Sequence, residues 1–106
     1  MPEEEFHALL EQLPRVREAA GELREMVLSN AVLLGEIPAP TFREHERIRF
    51  LQDRFSECGL SQCSCDEVGN GMGMLPGTDG ESNILVVAHA DTNFSAEVDH
   101  SISVAP

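Results

Sequence analysis

Residues 84 to 88, Ile-Leu-Val-Val-Ala, form an unbroken apolar run that leads straight into His89-Ala90-Asp91-Thr92. A short continuous run of this kind suits a strand covered on both faces, as in a sheet with helices on each side. Such a strand commits a chain to an α/β arrangement, because each face needs a layer against it. In open sheets of that class ligands gather beyond the carboxyl ends of the strands, and His89 and Asp91 stand at such an end.

The segments ahead of the run supply helices. Leu9, Leu10 and Leu13, then Val16, Ala20, Leu23, Val27, Ala31 and Leu34 keep near-helical spacing, so residues 3 to 35 are expected to be helical. A break is expected near Pro14 or Gly21, and Pro14 suits the first turn of a new helix. The second helix is expected to give out at Gly35, where Ile37-Pro38-Ala39-Pro40 enforces an extended link. Thr41-Phe42-Arg43-Glu44 matches a capping box, in which the threonine hydroxyl takes a backbone N–H and Glu44 reaches back. Ile48, Leu51, Phe55 and Cys58 then make one apolar stripe, with Gly59 as its stop and His45 on the surface. Gln62 to Val68 alternates instead, and Gly69-Asn70-Gly71 offers hairpin chemistry before a return strand through Met72 and Met74. Pro76 to Gly80 is a second turn cluster. The expected order is helix, helix, hairpin, central strand.

Composition limits the partners. Nineteen acidic against seven basic residues give a net charge of −12, which argues against nucleic acid and against anionic membrane surfaces. No apolar run approaches the roughly 20 residues needed to span a bilayer. The opening Met-Pro-Glu-Glu-Glu-Phe shows no secretory pattern. The three cysteines, Cys58, Cys63 and Cys65, form no Cys-x-x-Cys pair. They read as small buried thiols in a reducing, cytoplasmic setting.

The chemistry rests on His89. An imidazole binds zinc through one nitrogen when the other is held by a hydrogen bond that fixes its tautomer, and a carboxylate two residues on can help orient it. By itself a His-x-Asp triplet is weak evidence, more often the ordinary end of a strand followed by a turn than a metal site.

The order of motifs is more specific than the triplet. Leu33-Leu34-Gly35-Glu36-Ile37-Pro38-Ala39-Pro40-Thr41, the helix from Glu44 to Leu60, Asp66-Glu67-Val68-Gly69-Asn70, Leu75-Pro76-Gly77-Thr78 and Val87-Ala88-His89-Ala90-Asp91-Thr92 follow one another. In that order they resemble the amino-terminal part of the di-zinc exopeptidases, a family that includes peptidase T, glutamate carboxypeptidase, aminoacylase and the acetylornithine and succinyl-diaminopimelate deacylases. The resemblance covers roughly residues 23 to 98. Residues 1–22 fall outside it as an amino-terminal helical extension, and over 23–106 it implies the first part of a mixed-sheet α/β zinc-exopeptidase catalytic domain. It further implies a hydrolase that cleaves a peptide or N-acyl amide bond of a small substrate by metal-activated water. His89 would be a ligand to one of two zinc ions, and Asp91 the carboxylate that supports the site. Dimerisation would run through the family's smaller domain.

Against the family pattern, the bridging aspartate, the Glu-Glu pair and the distal ligands would all follow this motif, and none of Glu97, Asp99 and His100 has the spacing to replace them. These three are expected to be loop or strand-edge residues. The chain is therefore expected to be a truncated piece of such an enzyme, inactive alone, with marginal stability, exposed apolar surface around the run at 84–88, or association with a missing portion. The alternative is a non-enzymatic α/β interaction module or degenerate fragment. A different di-zinc aminopeptidase family with a His-x-Asp strand end fits the Ile-Pro-Ala-Pro-Thr link and the Asp-Glu-Val-Gly-Asn hairpin less well.

Overall fold

Helix α1 (Glu3–Glu22) opens on Glu3, Glu4 and Glu5, three carboxylates placed where the helix dipole favours negative charge. It belongs to a computed structural model that describes residues 2–106 and falls into two units, divided after Val32. The first unit holds α1 and the beginning of α2 (Arg24–Glu36). Pro14 lies inside α1 and does not open a new helix, contrary to the expectation from sequence. Proline removes one backbone donor and strains the turn before it, but helix continues on both sides. The break falls at Leu23, two residues after the weakly helical Gly21, where the Leu23 N–H closes a tight turn on the Ala20 carbonyl at 3.1 Å. Helix α2 runs one residue past Gly35.

The second unit is built on α3 (His45–Glu57) and an antiparallel hairpin of β1 (Ser61–Cys65) and β2 (Gly71–Met74). The expected capping box does not form. The chain turns through Pro40–Arg43, with the Arg43 N–H on the Pro40 carbonyl at 2.8 Å and Phe42 at φ 68°, and Glu44 precedes α3 without a side-chain cap. The Thr41 hydroxyl is engaged elsewhere, as described below. At its other end α3 closes as the glycine predicts. Gly59, at φ 86°, bonds to the Ser56 carbonyl, and the Leu60 N–H reaches the Phe55 carbonyl at 2.9 Å, a Schellman motif.

The stripe of α3 packs on the hairpin, and glycines let it come close. A methyl group on Gly71 would stand 3.0 Å from Ile48 Cγ2, and one on Gly73 would stand 2.9 Å from both Phe55 Cδ2 and Leu60 Cδ2. Gln52 Nε2 donates to the Ser64 carbonyl at 2.9 Å and the Met72 carbonyl at 3.2 Å, tying the helix to both strands. The pairing Ser61↔Met74, Ser64↔Met72, Cys65↔Gly71 carries a bulge at Gln62, whose φ is 51°. The turn is closed by Asp66, whose carboxylate accepts from the backbone N–H groups of Val68 and Asn70 and from Asn70 Nδ2. These bonds hold the Asp66 carboxyl below its ordinary pKa, the Asn70 side chain contributing most.

The central strand expected at 84–88 is not formed. Ile84, Leu85, Val86 and Val87 are 77 to 91% exposed and belong to no ladder. A doubly covered strand needs partners on both edges, and the two strands of the sheet pair with each other. The exposed apolar surface anticipated around this run is present. Among the described residues the fold is thus a small mixed arrangement of three helices and a two-stranded antiparallel sheet, compatible with α/β only at that coarse level. Cys58 and Cys65 are exposed and Cys63 is half-buried, so the expectation of buried thiols is also corrected. Cys58 caps the end of α3, and among the described residues only α3 packs on the hairpin that carries the other two. No helix among the described residues is long and apolar enough to cross a membrane.

Candidate functional site

The chain returns to the body of the second unit just after its exposed run, and the residues that dock are those of the His-x-Asp motif. Three successive positions are each held by the stretch between α2 and the first turn of α3. Arg47 Nη1 donates to the Ala90 carbonyl at 3.0 Å. The Thr41 hydroxyl donates to Asp91 Oδ2 at 2.6 Å. The Thr92 N–H donates to the Ala39 carbonyl at 2.8 Å, making a single parallel bridge between Pro40 and Thr92. Ala39, beneath this seam, is fully buried.

Arg47 is the anchor. It is 7% exposed, and its Nη2 also donates to the Ile37 carbonyl at 2.6 Å and the Gly35 carbonyl at 3.4 Å. Its charge is met by backbone dipoles at the carboxyl end of α2, where a cation is favoured. Burial pushes the guanidinium pKa downward. It nevertheless stays charged, because arginine titrates far above physiological pH.

His89 Nδ1 lies 3.0 Å from the Asp91 carbonyl oxygen and 3.3 Å from Asp91 Oδ1. A carbonyl can only accept, so the Nδ1 position carries the proton, and in the neutral ring the lone pair is on Nε2. The ring is 86% exposed, so Nε2 faces solvent at the end of the apolar run. The Asp91 carboxyl is held below its ordinary pKa, first by the Thr41 hydrogen bond and to a smaller degree by the neighbouring imidazole.

The sequence-derived site residues His89 and Asp91 are therefore together, and the orientation of the ring matches that of a metal-ligating histidine. As a single donor His89 fits a zinc ion. Among the described residues, no three or more His, Cys, Asp or Glu side chains converge as a metal-ligating group. A catalytic zinc normally takes three protein ligands and a water position. Asp99 and His100 lie in loop, with Asp99 capping the Ser101 N–H and His100 Nδ1 donating to the Val98 carbonyl at 2.6 Å.

Thr41 and Arg47 are absent from the residues singled out by sequence. Arg47 did leave a signal: it stands four residues before Leu51 and eight before Phe55, a lone charge on the apolar face of α3. Thr41 gave a misleading one, since its spacing to Glu44 is that of a local cap. No protein-family model, curated protein or solved structure matches this chain.

Proposed function

We propose that His89 is a metal ligand in a zinc-dependent exopeptidase or amidohydrolase, that Asp91 is the carboxylate orienting it, and that this chain is the amino-terminal part of that enzyme. The observation that carries the proposal is the 3.0 Å contact from His89 Nδ1 to the Asp91 carbonyl, which leaves Nε2 bare on an exposed ring. The ordered motifs from Ile37-Pro38-Ala39-Pro40-Thr41 to His89-Ala90-Asp91 support the same reading. Two zinc ions, when bound in a complete site, would polarise the scissile carbonyl and supply a water-derived nucleophile. The chain's own part is to present the Nε2 lone pair, keep the proton on Nδ1 and hold the Asp91 carboxylate ionised beside the ring. The substrate would be a small peptide or N-acyl amino acid. A complete catalytic zinc site would need further ligands besides His89.

Zinc titration followed by imidazole ¹⁵N resonances tests this on a Cys63→Ser/Cys65→Ser background that removes competing thiols. The expected result is weak binding that moves His89 Nε2 and vanishes in His89→Ala. A shift at His100 with His89 unmoved would remove His89 from the proposal.

A second reading, a non-enzymatic α/β interaction module, is favoured by the open apolar run, in which Ile84, Leu85, Val86 and Val87 are 77 to 91% exposed. The two readings separate in a longer form of the protein carrying the missing ligands. There the enzyme reading requires stoichiometric zinc that is lost together with amidase activity in His89→Ala.

A further inference from the structure

We draw no further inference here: the strongest candidate, the open cleft of about 390 Å³ between α3 and the hairpin turn, walled by Glu44, Ile48, Arg49 and Val68, carries nothing, because the Glu44 carboxylate offsets the Arg49 charge and nothing in the structure shows what fills it.

Discussion

The Thr41 hydroxyl donates to Asp91 Oδ2 at 2.6 Å across fifty residues of sequence. Asp91 in turn faces His89 Nδ1 with both its carbonyl and its carboxylate. The side chain that spacing would assign to a helix cap is therefore the one that fixes the carboxylate beside the candidate ligand. This bond is also the largest cause of the lowered Asp91 pKa.

Thr41→Val should consequently raise the Asp91 pKa toward the ordinary aspartate value of 3.8. The direction of the stability effect follows from linkage. A carboxyl whose folded pKa is depressed adds stability that is present above its unfolded pKa and is lost as pH falls through the folded value. Wild type and variant should thus differ most at neutral pH and converge in acid below the ordinary value. Carboxyl ¹³C titration with acid unfolding curves measures both. Identical Asp91 titration in the two proteins would show that the hydroxyl does not hold the carboxylate.

Arg47→Met removes the donor shared by the Ala90, Ile37 and Gly35 carbonyls. Leaving part-buried acceptors unpaired costs about 1–3 kcal/mol, a loss that urea unfolding should register. Because the guanidinium stays charged, the loss should not vary across neutral pH. Arg47→Lys should recover only part of it, since an ammonium lacks the planar fork that serves several carbonyls at once. Faster amide exchange at Thr92 would localise the damage to the seam beneath His89, and an unchanged urea midpoint would contradict the bracing role.

Local chemistry was legible in the sequence and remote partnership was not. Gly59 closes α3 as expected, and a hairpin forms as expected. Strand β1 nevertheless stops at Cys65 rather than Val68 and the turn begins at Asp66, because that carboxylate gathers the Val68 and Asn70 donors within four residues. Thr41 was misread because its competing acceptor, Asp91, lies far along the chain, where local spacing carries no information. The run at 84–88 shows the same limit from the other side. Its composition specifies β-character, but a ladder also needs neighbouring strands, and the only two in the sheet are already paired. His89 could be placed at the end of the run from sequence. Which nitrogen holds its proton could not, because that depends on a carbonyl two residues on and the turn that aims it.

Gly73 should be intolerant of a side chain. A Cβ there would lie 2.9 Å from Phe55 Cδ2 and Leu60 Cδ2, so Gly73→Ala must push α3 away from β2 or force side chains off their rotamers. Such overpacking costs about 1–3 kcal/mol. Gly77 is the matched control, with nothing within 4 Å of an added Cβ and no left-handed φ. Gly77→Ala should be neutral or stabilising by up to about 1 kcal/mol, through a less flexible unfolded chain. Thermal unfolding of the two variants side by side is the measurement, and equal midpoints would refute close packing at β2.

Ile84 and Val86 present the opposite case, large apolar side chains 91% and 88% exposed. In a strand covered on both faces each would contribute about 1.5–3 kcal/mol by burial, and replacing both with threonine would be severe. Here neither has surface to lose. Ile84→Thr/Val86→Thr should shift the unfolding free energy by no more than about 0.5 kcal/mol, as expected for surface substitutions. The same variant should bind less of an apolar fluorescent dye, because the contiguous exposed patch is interrupted. A loss above about 1.5 kcal/mol would mean that the run is packed in solution as a doubly covered strand, bringing the expected sheet back into the fold.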